Sequence, residues 1–193
     1  MEGQKSYFNR NLLIVLAVLY ALSMGGFFYF SVSSQGEDMP WWMALLNALI
    51  LSIPLVLIYG GIYVLVRAWR EHGHSGQLDE RLRKVIHWAP RVASIMIIFF
   101  MSLFSLDVFG MGSSLLEELG GFLMHNIPSF VMLVLLFFAW KRPAVGFWAF
   151  LAAGVVFVIF FVRSIYAISN LLLFVVPIWL VAGLFSADWK LHA

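Results

Sequence analysis

The residues with the most chemistry to offer lie between Met101 and Ser129, where two apolar runs meet at a short acidic link. Downstream of that link, Glu118, Gly121, His125, Ser129 and Met132 follow at i, i+3, i+7, i+11 and i+14, which is one face of a 3.6-residue helix. His125 then stands about 10 Å along the axis from Glu118, at 1.5 Å of rise per residue. Asp107 closes the preceding apolar run at a comparable level, and Arg163 ends a later one. Together they suggest an outward-facing polar pocket. His125 would be its proton-titrating or ligand-binding group, Asp107 and Glu118 the acidic partners, and Arg163 an anion or counter-charge site. A histidine with two carboxylates also has the donor set of a divalent metal site. The plainer reading has the acids solvated, His125 bonded to a nearby carbonyl or Asn, and Arg163 reaching headgroups. For metal binding and catalysis the plainer reading is preferred. For a polar cluster between helices the two stand level.

Other candidates are thinner. His72-Gly-His74 is half a metal site on a turn, and a solvated linker explains it better. Arg81, Arg83 and Lys84 are suited to anionic lipid heads, although ordinary topological charge explains them better. The chain holds no glycine-rich phosphate loop, no HExxH and no GxSxG. It has no cysteine, which removes disulfides, thiolate metal sites and a thiol nucleophile. No metal or cofactor is expected, and no nucleic-acid partner.

The elements that must position these residues follow from hydropathy. Of the 193 residues 63% are hydrophobic and 11% charged, with a mean hydropathy of +0.94. A soluble domain is about half apolar and a quarter charged. The excess lies in runs of about 20 residues, the length of a membrane-spanning helix. Six spans are expected, over roughly 12–32, 43–66, 89–109, 115–140, 145–162 and 168–185. The expected fold is therefore an all-α, polytopic membrane protein of six transmembrane helices in three hairpins. Residues 1–70 would form an N-terminal hairpin and 91–193 a four-helix membrane domain. Between them, 71–90 would be a cytoplasmic basic loop, with a short amphipathic surface helix over 78–88. Ser23, Gly25 and Gly26 give the first span a small-residue patch that admits a close neighbour.

Orientation follows from charge. With the N-terminus inside, eleven of the twelve Lys and Arg residues fall on the inner side and only Arg163 on the outer. Both termini are expected in the cytoplasm. Pro54, Pro128 and Pro177 sit at related places in the even-numbered spans, and Trp140-Lys141 and Trp189-Lys190 each follow a proline at the same distance. This suggests one ancestral hairpin repeated three times, with the prolines as structural residues. The alternative is that prolines are common in spans and Trp-Lys at an inner interface.

The run Ser102 to Phe109, then His125-Asn-Ile-Pro128-Ser129, then Ala139-Trp140-Lys141 with Gly146 soon after, resembles a family of small prokaryotic membrane proteins known only as a domain of unknown function. The resemblance covers roughly Arg91 to Lys190. It implies a compact four-helix membrane unit and no activity. Taken together, the sequence suggests a multi-pass protein of a bacterial or archaeal plasma membrane, in contact with the lipid bilayer. It would serve as a non-catalytic subunit or assembly component, with protein partners or copies of itself. A small transporter or channel-like protein using the pocket around His125 is the alternative.

Overall fold

A computed structural model describes residues 2–34, 40–75, 78–109, 114–164 and 167–192, and among them every regular element is helical. The chain runs through α1 (Glu2–Ser34), α2 (Trp41–Ser75), α3 (Glu80–Leu103) and a 3-10 turn (Phe104–Val108). It continues through α4 (Leu115–His125), α5 (Ile127–Ala139), α6 (Pro143–Phe161), the short α7 (Ala167–Asn170), a π turn (Leu171–Val175) and α8 (Val176–His192). Five helical stretches are long and apolar enough to cross a membrane: Arg10–Tyr29, Trp41–Gly73, Glu80–Leu106, Pro143–Phe161 and Ala167–Leu191. The α4–α5 pair passes the same test as one span bent by 45°.

The last helix organises the bundle. Ile178, Val181, Ala182, Leu184, Phe185 and Ala187 are all buried, so α8 is apolar on most of its circumference and must sit inside. It packs against α2, α3 and α6. Ile97 and Phe100 of α3, Met132 and Leu136 of α5, and Phe150 of α6 complete the same core.

Close packing around α8 depends on glycines. A Cβ on Gly61 would lie 2.1 Å from Leu180 Cδ2, one on Gly146 2.7 Å from the Phe185 ring, and one on Gly154 2.2 Å from Trp179 Nε1. Leucine, phenylalanine and tryptophan of α8 thus fill notches on α2 and α6, the use of small residues expected where helices approach closely. Trp179 also donates its indole N–H to the Leu151 carbonyl at 3.3 Å.

Several element boundaries differ from the sequence expectation. The second span does not end near residue 66: α2 continues to Ser75, so the His72-Gly-His74 stretch lies on a helix rather than on a turn. The amphipathic stretch is not a separate surface helix. It forms the first turns of α3, which runs through Pro90 without a break. Leu82 and Ile86 are buried there against Ala68 of α2 and Ala187 of α8, so their apolar face is satisfied by helices rather than by a membrane surface. The expected fourth span is broken at Asn126. Pro128 cannot donate to the carbonyl four residues back, and Asn126 takes φ −83° and ψ −5° at the junction. The last helix does not stop at Phe185. It continues to His192, so the supposed tail is helical and Asp188 lies inside the bundle.

The three prolines occupy three different local structures. Pro54 lies inside the unbroken α2, Pro128 starts α5 after the bend, and Pro177 follows the π turn. A π turn widens the backbone just where the Pro177 ring would otherwise press on the preceding turn.

Candidate functional site

The most developed polar arrangement lies at the basic end of the bundle. Arg91 on α3 and Asp188 on α8 are 2% and 1% exposed, and a fully buried charge persists only when paired and hydrogen-bonded. Arg91 Nη1 donates to Asp188 Oδ2 at 2.8 Å. Its Nε and Nη2 both donate to the Trp140 carbonyl, at 3.2 and 2.8 Å. Nη1 also donates to the His87 carbonyl. His87 Nδ1 lies 3.3 Å from the other Asp188 oxygen, Oδ1, with its ring about half exposed.

Each partner is supplied by local structure. Four residues separate His87 from Arg91, so both lie on one side of α3. Pro90 between them has no N–H, so the Ile86 carbonyl four residues back loses its intrahelical donor. Trp140 caps the C-terminus of α5, where the last carbonyls lack intrahelical partners. A guanidinium there satisfies the orphan oxygen and complements the negative end of the helix. Only arginine has a planar fork that reaches a carboxylate and a carbonyl on separate helices at once. One side chain therefore ties α3, α5 and α8 together. Asp188 orients the half-exposed His87 as an acid orients a base, yet its second oxygen is already held by Arg91. The arrangement is a structural lock.

The sequence-predicted residues at the opposite end are arranged differently. His125 is exposed, and its Nδ1 meets the carbonyl of Gly121 on its own helix at 3.0 Å. Among the described residues no hydrogen bond or ion pair joins it to Glu118 or Arg163. Glu118 is half-buried on α4. Arg163 is exposed just past the end of α6. Asp107 has its backbone in the 3-10 turn, and its side chain lies outside the described residues. Glu117 closes a capping box with Ser114: Ser114 N donates to its carboxylate at 3.1 Å, and its own N–H meets Ser114 Oγ at 3.4 Å.

The expected common face of the fourth span is split by the bend. Ser129 and Met132 turn into the core, whereas His125 stays outside. Ser129 Oγ is buried without a hydrogen-bond partner among the described residues. Asn126 is the polar residue that does join elements here. It is 4% exposed, and its amide donates to Ser105 Oγ at 2.6 Å and to the Phe122 carbonyl at 3.1 Å. Ser105 donates on to the Ser102 carbonyl at 2.6 Å. One Asn side chain thus adds to the backbone bond that Phe122 already accepts at the break, and fastens α4–α5 to the 3-10 turn. Beside the bend lies an apolar groove of about 470 Å³ between α5 and α6, lined by Pro128, Val131 and Phe157 among others. No group of three or more metal-ligating side chains occurs among the described residues.

Sequence reasoning missed Arg91, Asp188 and Asn126 as joining residues. The available signals were the i,i+4 spacing of His87 and Arg91, and a lone acid four residues short of the end of the last apolar helix. Asn126 was hidden beside the more conspicuous His125.

The fold and its polar lock define an all-helical bundle with five or six helices long and apolar enough to cross a membrane. The chain belongs to the family described as a domain of unknown function, DUF7670, which matches residues 79–193. The match begins at the start of α3 rather than near Arg91, so it takes in the amphipathic turns as well. Arg91, Trp140, Asp188 and the two glycines of α6 all lie within it, whereas α1 and α2 lie outside. No curated protein and no solved structure matches the chain.

Proposed function

We propose that the chain is a multi-pass protein of a bacterial or archaeal plasma membrane, with six spans and both termini in the cytoplasm. Its proposed role is that of a non-catalytic subunit or assembly component of a membrane complex. The observation that carries this reading is the contrast between occupied and vacant glycine notches. Gly61, Gly146 and Gly154 are each filled by a side chain of α8, whereas a Cβ on Gly25 or Gly26 of α1 would meet nothing within 4 Å. Small residues on an apolar helix favour close helix–helix approach, and here no helix of the same chain occupies the notch. In addition, α1 packs chiefly on α2 and buries only Leu16 among its described side chains. The half-helix α4 buries none. Both present faces to a further protein.

The transporter alternative has less support. Ile97, Phe100, Met132, Phe150, Ile178, Val181 and Phe185 fill the centre of the bundle, which leaves an apolar plug between the two polar ends.

Extraction from native membranes in a mild detergent tests the proposal. The expected result is a second protein, or a fixed multiple of the 21.9 kDa chain, co-eluting at constant stoichiometry through two columns. A chain that elutes alone as a monomer would count against it.

A further inference from the structure

A second cavity lies at the basic end, between α2 and α8, with a volume of about 410 Å³. It falls within the roughly 300–1,000 Å³ of small-molecule sites. Leu65, Trp69 and His72 line it from α2 at i, i+4 and i+7, and Gly183, Ser186, Ala187, Lys190 and Leu191 line it from α8. Both helices run towards the basic end, so both walls change character in the same direction. Leu65 and Gly183 lie at the inner level, with Phe147 of α6 beside them. His72 and Lys190 lie seven residues further on, about 10 Å along the axis, and both are exposed. The cavity is therefore apolar at one end and polar, with a fixed cation, at the other.

Among the described residues no carboxylate lines this cavity. Glu71, next to His72, accepts the Asp79 N–H at 2.9 Å and lies 3.9 Å from Arg67 Nε. The charge presented to a ligand is that of Lys190, with His72 as a second donor. Trp69 is 66% exposed at the rim, the place of an interfacial tryptophan. The depth of the apolar end follows from Gly183: a Cβ there would sit 3.4 Å from Leu65 Cδ1, and a larger side chain would fill the space. By contrast, the α5–α6 groove has no charged group among its described lining residues to orient a ligand.

We propose that this cavity binds an anionic phospholipid. An acyl segment lies along Leu65, Gly183 and Phe147, and the phosphate meets Lys190 and His72. The proposal rests on the membrane reading above, whose own failure would show as a chain extracted from cells without detergent.

The test is native mass spectrometry of the full chain in detergent. The probes are phosphatidylglycerol, phosphatidylcholine of the same chain length, and inorganic phosphate. One phosphatidylglycerol should be retained, with a preference over phosphatidylcholine of about fivefold or more, as expected for one or two cationic contacts near a membrane surface. The double variant Lys190→Gln/His72→Gln should lose that preference while keeping its unfolding temperature. Gly183→Leu should weaken retention of both lipids. Equal retention of the two lipids by the native chain would overturn the proposal, as would an undiminished preference in the double variant. Displacement of the lipid by millimolar inorganic phosphate would overturn the lipid assignment too. Because Lys190 and His72 are surface residues, the double variant decides the matter even if Gly183→Leu fails to fold.

Discussion

Truncating Asp188 to alanine should destabilise the bundle by about 3–5 kcal/mol, the cost of leaving a buried charge without its partner. Arg91 would remain 2% exposed with Trp140 and His87 carbonyls as acceptors but no counter-charge. Arg91→Ala should cost a similar amount, because it removes the guanidinium from the buried Asp188 carboxylate and takes both side-chain donors from the Trp140 carbonyl at the end of α5. The informative variant is the double replacement Arg91→Met/Asp188→Leu. Substituting both members of a buried pair by apolar residues of similar volume is often neutral or stabilising. The double variant should therefore be more stable than either single one, with a coupling of about 0.5–3 kcal/mol between residues in direct contact. Arg91→Lys should behave as a loss, since a single ammonium cannot reproduce the fork that spans α5 and α8. Equilibrium unfolding in detergent, followed by tryptophan fluorescence, measures all four. If the pair contributed only surface charge, each single variant would fall within about 0.5 kcal/mol of the native chain.

The second large effect concerns the α6–α8 contact. Replacing a helical glycine by alanine ordinarily gains about 0.5–1 kcal/mol. At Gly146 the sign should reverse. The new methyl would lie 2.7 Å from Cγ and Cδ1 of Phe185 and 2.9 Å from Cδ2, directly against the ring. Phe185 has little room to yield: it is fully buried and its ring centroid lies 5.5 Å from that of Phe150. Overpacking of this kind costs about 1–3 kcal/mol. Gly25→Ala is the matched control, because nothing lies within 4 Å of its Cβ position in this chain. Thermal unfolding should show Gly146→Ala clearly less stable than Gly25→Ala. A Gly146→Ala variant as stable as the native chain would show that α6 and α8 separate more readily than their packing implies.

The helical class and the approximate position of every long apolar helix could be read from hydropathy alone, because the length of an uninterrupted apolar run depends on local sequence. Where one helix ends and the next begins was harder. The sequence suggests a separate surface helix over 78–88 and a new span from 89, yet Leu82 and Ile86 pack on Ala68 and Ala187 and α3 continues through Pro90. Pro128 looked like an ordinary intrahelical proline, yet Asn126 supplies side-chain bonds that stabilise a 45° bend there. The two prolines differ in the bonds that compensate them, and those partners are distant in sequence.

The polar sites were legible in proportion to how locally they are made. Ser114 and Glu117 cap α4 within four residues, and the acidic link that holds Glu117 was visible as a feature. Arg91 and Asp188 are 97 positions apart, and each on its own resembles an ordinary charge at the end of a span. Their burial follows from α8 continuing to His192 at the centre of the bundle, which no local pattern announces. His125, conspicuous by composition, bonds to its own helix instead.

The claim that this bundle is one component of a larger membrane assembly is tested most directly by site-resolved photo-crosslinking in intact cells. A photoreactive side chain at Leu22 on α1, 67% exposed and one turn from Gly25 and Gly26, is compared with one at Phe160 on α6, 77% exposed. A discrete protein adduct of constant mass is expected from position 22 and none from position 160. Absence of a protein adduct at position 22, or indistinguishable adducts at both positions, would contradict it.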